Sequence, residues 1–133
     1  NKKRWKEKGP LTLPMQHPAD LTQLSDNCLL LTYGIRNRGL MGIGARLSID
    51  GGKTWRPPWV IHQFGNEAKD IGYPSTTAVD KEGTLLTAFY TDYESTLKKK
   101  PNLYRVLSMR WSLKDWLHPT ILGSISDGKQ LKL

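Results

Sequence analysis

The side chains of this sequence with most chemistry to offer are a few arginines, one tyrosine and scattered carboxylates. Arg46 lies in a run where Met41, Ile43, Ala45, Leu47 and Ile49 alternate with Gly42, Gly44, Arg46 and Ser48. In a strand that alternation turns Arg46 away from the apolar set. Its planar guanidinium is suited to gripping a carboxylate through two parallel hydrogen bonds. Tyr73 stands in Ile71-Gly72-Tyr73-Pro74, three residues after Asp70, which could orient its phenol. Arg36 and Arg38 flank Asn37 and could line the same face as Arg46, while Asp92 and Glu94 close a later apolar strand. Considered singly, each has a blander reading: a solvated strand arginine, an edge aromatic, a turn-forming aspartate. His17, His62 and His118 each lie near a proline and lack metal-ligand spacing, so neither a metal nor any other cofactor is expected. The single Cys28, among Leu29, Leu30 and Leu31, reads as a buried structural thiol and forbids an intrachain disulfide.

These residues need a frame, and the clearest part of it is the stretch Ser48-Ile49-Asp50-Gly51-Gly52-Lys53-Thr54-Trp55. Asp-Gly and Gly-Gly between strand-like runs are strong hairpin signals, because glycine reaches positive φ at little steric cost. An aspartate heading such a turn accepts hydrogen bonds from backbone N–H groups further on, and Ser48 and Thr54 can close it with their hydroxyls. Trp55 then buries a large ring as the chain leaves. This corner is rigid and self-satisfied, and nothing in it is a catalyst.

Strand and turn signals alternate along the rest of the chain. Leu11 to Leu13 reads as a brief strand ending at Pro14, and Asp20 to Leu24 as another closed by Ser25-Asp26-Asn27. Cys28 to Ile35 is apolar enough for a strand buried on both faces. Met41 to Ile49 follows, then Trp59 to Phe64. The pattern recurs with Tyr73 to Val79, a turn at Asp80 to Gly83, Thr84 to Tyr90, Leu103 to Trp111, and Pro119 to Leu122. Aligning Leu30-Leu31-Thr32 with Leu85-Leu86-Thr87 gives a long repeat of about four strands, the pattern of propeller blades. No stretch sustains helical periodicity between caps. The expectation is an all-β chain: residues 1–18 end one blade, 19–66 form a second, 67–124 a third, and 125–133 a tail. Two blades cannot close a ring of four to eight, so the remaining blades are expected from a longer chain or from an oligomer.

The 133 residues carry a net charge of +8, concentrated in Lys2-Lys3-Arg4 and Lys98-Lys99-Lys100. Such a surface favours anionic partners, although short lysine runs are usually solubility devices. No zinc-finger spacing or RNP-like aromatic motif supports nucleic acid. No run is long enough to span a membrane, so a soluble segment is expected.

The fixed positions Ser48, Asp50, Gly52, Thr54 and Trp55 resemble the Asp-box, S-x-D-x-G-x-T-W, repeated in the sialidase superfamily. There it is a structural turn on the outer rim of a blade. Arg46-x-Ser48 resembles the family's placing of a carboxylate-binding arginine just before an Asp-box. Gly72-Tyr73-Pro74-Ser75 through Thr84-Leu85-Leu86 resembles the segment that carries its nucleophilic tyrosine. Taken over residues 20–111, the resemblance implies the last two blades of a six-bladed propeller. It implies Arg46 as a clamp for an anionic sugar, Tyr73 as nucleophile, and supporting contacts from Arg36 and Asp70. A phenol has a rationale there, since a carboxylate nucleophile would repel an anionic substrate, and sialidases are the tyrosine exception among glycosidases. A secreted or periplasmic location is implied in the same way. Pro74 departs from the family's serine. The acid aspartate, the glutamate that activates the tyrosine and the other arginines belong to earlier blades. Two expectations follow: part of a retaining sialidase-like hydrolase, or a non-catalytic carbohydrate-binding or scaffolding propeller.

Overall fold

The computed structural model describes residues 6–93, 98–99 and 103–116. Among them are seven strands and one short 3-10 turn, so the protein is all-β. β1 (Gln16–Ser25), β2 (Cys28–Ile35), β3 (Met41–Ser48) and β4 (Trp59–Gly65) form one antiparallel sheet in chain order. β5 (Ile71–Ala78), β6 (Thr84–Thr91) and β7 (Arg105–Ser112) form a second antiparallel sheet, again in chain order. The expected strand Pro119 to Leu122 and the tail lie outside the described residues.

Turn chemistry explains where the strands stop. The run Cys28–Ile35 is bracketed by Asp26-Asn27 and Asn37-Arg38-Gly39, and β2 occupies it without overrun. Gly39 takes φ 80°, which a side chain would resist. The alternation expected of β3 is present: Ile43, Ala45 and Leu47 are buried on the side facing the second sheet. Leu30, Ala45 and Leu47 pack with Leu85, Trp111 and Leu113 to form the core between the sheets. Each large apolar side chain buried there contributes about 1.5–3 kcal/mol. Trp59 lies 5.6 Å from Trp111 and stacks at 5.4 Å on Trp116, closing the rim of this core.

The sheets are also tied by polar groups. Thr32, Thr76 and Thr87 are buried, and their hydroxyls touch in sequence at 3.0 and 2.9 Å. The indole of Trp111 donates to Thr87 Oγ1 at 2.8 Å, ending the row. β1 and β5 lie side by side: Asp20 accepts the Thr76 N–H at 2.9 Å, and Thr22 donates to the Thr76 carbonyl at 3.0 Å. At the other end of β5 a Cβ on Gly34 would meet Gly72 Cα and the His17 carbonyl at 3.1 Å. A glycine there lets β2 and β5 come close enough for their ends to share one surface.

The N-terminal segment departs from expectation. Leu11 to Leu13 is not a strand but leads into a turn, in which Met15 adopts φ 67°. Gln16 explains it, since its side chain accepts the Leu13 N–H and its carbonyl accepts the Thr12 hydroxyl. These bonds coil the chain where an apolar-polar-apolar triplet suggested extension. β1 consequently starts at Gln16, inside the residues assigned to a preceding blade.

Candidate functional site

At one end of the first sheet, between β3 and β4, the turn 48–55 satisfies itself. Asp50 accepts the Lys53 N–H at 3.0 Å, the Thr54 N–H at 2.9 Å and the Thr54 hydroxyl at 2.6 Å. Ser48, itself buried, donates to Asp50 at 2.8 Å and accepts the Gly52 N–H at 2.8 Å. Gly51 and Gly52 take φ 70° and 84°, and Gly51 donates to the Asn27 carbonyl at 2.9 Å. Hydrogen bonds from the Thr54 side chain and backbone, with smaller help from Ser48 and Lys53, hold the Asp50 carboxyl down to about 2. Trp55 packs against the Leu31, Tyr33 and Ile35 cluster. A smaller relative of this turn joins β5 to β6, where Asp80 accepts the Glu82 and Thr84 N–H groups.

Arg46 belongs to this corner. Its Nε donates to the Arg56 carbonyl at 2.9 Å, one terminal nitrogen to Leu11 at 2.8 Å and the other to Trp55 at 3.3 Å. Its register partner is Leu31, whose cluster includes Leu11 and Trp55, so it lies on the face of the first sheet turned away from the second. It is thus not brought beside Tyr73. A guanidinium lashing three backbone carbonyls holds the loop after the turn and the N-terminal segment onto β3.

Where β5 begins, a different arrangement appears. Tyr73 sits at φ 49° within a register shift between Gly72 and Ser75 opposite β6. A tyrosine in the left-handed region is strained by about 1–3 kcal/mol, and bulges of this kind re-aim side chains. Pro74, buried and without an N–H, accommodates the break in pairing. The result is a phenol ring 69% exposed. Its centroid is 5.7 Å from the Tyr90 ring, which in turn is 5.9 Å from that of Tyr104. Tyr104 is 48% exposed and Val106 77%, so the three rings and the valine form an open aromatic surface.

Beneath the rings lies an ion pair. Arg36 donates to Asp70 Oδ1, and the Tyr90 hydroxyl donates to Asp70 Oδ2 at 3.0 Å. Burial, the bond to Asp70 and its negative charge push the Tyr90 phenol up to about 12, so it remains a donor at neutral pH. Asp92, buried, accepts the Lys69 and Asp70 N–H groups at 2.8 and 2.9 Å, and its own N–H returns to the Asp70 carbonyl. This double clasp fixes the backbone from which Asp70 reaches Arg36 and Tyr90. Arg36 is anchored through its N–H to the Met15 carbonyl.

Of the residues singled out from sequence, Tyr73, Arg36 and Asp70 are assembled at one end, while Arg46 and the turn of Ser48, Asp50, Gly52, Thr54 and Trp55 are held elsewhere. Tyr90 and Tyr104 were not foreseen as site residues. Period-2 alternation along β6 could have found Tyr90, which shares the outward face with Leu86 and Ala88. Arg38 is exposed, and Glu94 lies outside the described residues. A hollow of about 190 Å³ opens at the far end of β5, lined by Leu24, Ala78, Leu85 and Leu113 with Asp80 and Lys81 at the β5–β6 turn, where the Asp80 carboxylate accepts the Glu82 and Thr84 N–H groups. Among the described residues no His, Cys, Asp or Glu cluster could hold a metal ion, and no helix is long and apolar enough to cross a membrane. Cys28 is buried, with its thiol pushed up to about 11 by desolvation, so it carries no nucleophile at neutral pH.

Compared with protein-family models, with curated proteins and with solved structures, the chain matches none of them.

Proposed function

We propose that this chain is part of a sialidase-like, glycan-recognising β-propeller, and that the tyrosine-bearing end is its sugar surface. The observation that carries this reading is the juxtaposition of exposed Tyr73 and Tyr104 with the partly exposed Arg36–Asp70 pair. Sugar rings offer C–H faces that pack on aromatic rings and hydroxyls that both donate and accept, and this surface supplies partners for each. Two consecutive meanders with β1 and β5 side by side support reading the sheets as neighbouring blades. So does a turn in which Ser48, Asp50, Gly52 and Thr54 all make the bonds expected of an Asp-box. The remaining blades would come from a longer chain or from further copies. A secreted or periplasmic location accompanies this reading through the family resemblance alone.

Hydrolysis is the second reading, and one observation favours it: Tyr73 is held exposed in a strained backbone conformation of the kind that clusters at active sites. The acid, the base and the further arginines would come from the missing blades. Glycan binding followed by NMR tests the first reading: Tyr73→Ala and Tyr104→Ala should each weaken binding with the fold unchanged by circular dichroism. Turnover of a fluorogenic sialoside tests the second. Tyr73→Phe should abolish it, and undiminished turnover would remove Tyr73 from the nucleophile's role.

A further inference from the structure

The groups beside the tyrosines specify more than a sugar. The carboxylate of Asp70 receives one bond from Arg36 and one from Tyr90, which leaves about two of its lone-pair positions open. The Arg36 and Asp70 side chains remain 29% and 26% exposed. Solvent at this point therefore meets a fixed guanidinium and a fixed carboxylate together, an acceptor beside a donor.

Two ligand chemistries respond oppositely to such a pair. A sugar carboxylate approaching Arg36 would come within a few ångströms of Asp70. The like charge would cancel much of the attraction, and the carboxylate group has no proton to offer Asp70. A vicinal diol has no charge to repel, and each hydroxyl can donate to Asp70 while accepting from Arg36. Arg46, which could have supplied a second cation, is spent on three carbonyls on another face of the first sheet. Tyr90 adds a further neutral donor already committed to Asp70.

Resting on the glycan reading above, we infer that the Arg36–Asp70 pair, flanked by Tyr73 and Tyr104, is a subsite for a neutral sugar held through a vicinal diol, not for an acidic one. The aromatic rings would pack the ring face, and the ion pair would fix its rotation. Asp92 is the positioning residue that presents Asp70.

The test is a titration of the protein, by NMR or calorimetry at fixed ionic strength, with lactose, methyl mannoside and 3′-sialyllactose. Binding of a neutral sugar, with the sialylated one bound no more tightly, is the expected result. Asp70→Asn keeps the shape and removes the charge. It should weaken neutral-sugar binding by roughly tenfold, the loss of a hydrogen bond to a charged group, and raise the relative affinity for 3′-sialyllactose. Preference of the unaltered protein for 3′-sialyllactose would overturn the subsite and leave glycan recognition standing. No binding of any glycan, with the fold intact, would overturn both. A neutral-sugar affinity unmoved by Asp70→Asn would detach the binding from this pair.

Discussion

The turn 48–55 and the tyrosine end each contain an aspartate and an arginine, yet the two pairs live differently. Asp50 is ringed by donors from Ser48, Lys53 and Thr54, and Arg46 is shared among three backbone carbonyls. Asp70 and Arg36 bind each other and keep part of their capacity facing water. A polar group whose partners are all supplied by its own chain holds structure; one left partly unfilled at the surface is available to a ligand. Residue type does not separate these cases. Arg46 and Arg36 are equally fit to grip an anion, and only their surroundings differ.

The contrast breaks most readily at the arginines. Arg46→Leu should cost about 2–4 kcal/mol, since it frees three carbonyls from a charged donor. Arg36→Leu should cost less, about 1–2 kcal/mol, since the pair is part-buried but still reached by solvent. Urea denaturation of both variants measures this, and equal losses would erase the distinction. A smaller effect of opposite sign is expected at Tyr73, where φ is 49°. Tyr73→Gly should stabilise the fold by up to about 1 kcal/mol by releasing strain, while removing the ring from the sugar surface. A loss of stability there would mean that the ring packs more than its exposure suggests.

The gentlest probe is pH. The Asp50 carboxyl is lowered from 3.8 to about 2, so the stability it contributes is present above its unfolded value and is lost as pH falls through the folded one. The Tyr90 phenol is raised from 10.0 to about 12, so its contribution is complete below the unfolded value and is lost as pH rises through the folded one. Acid should therefore loosen the turn before the tyrosine end. Base should loosen the tyrosine end before the turn, after first acting on the buried Cys28 thiol, which is raised from 9.0 to about 11. Hydrogen exchange resolved by segment would show it, and loosening in the reverse order would contradict both assignments.

How much of this was legible beforehand depends on how local the cause was. β2 and the turn 48–55 were readable because the residues that decide them are neighbours: apolar runs stopped by Asn and Gly, and an aspartate four residues from the threonine it binds. Leu11 to Leu13 misled because the determining group, the Gln16 side chain, lies beyond the triplet that looked extended. Tyr104 could not be placed because a long connection separates β6 from β7, and no short turn fixes the register that brings it to Tyr90. Arg46 does turn away from the apolar set, as the alternation implies, but its carbonyl partners come from two distant places along the chain, Leu11 and the adjacent Trp55 and Arg56.

The buried threonine row works as a rivet. An indole N–H can only donate, so Thr87 accepts from Trp111, and its hydroxyl shares a proton with that of Thr76, which shares one in turn with Thr32. A single polar line thereby runs from β7 through β6 and β5 to β2. The two sheets are pinned along it and cannot slip past one another by a residue without interrupting it.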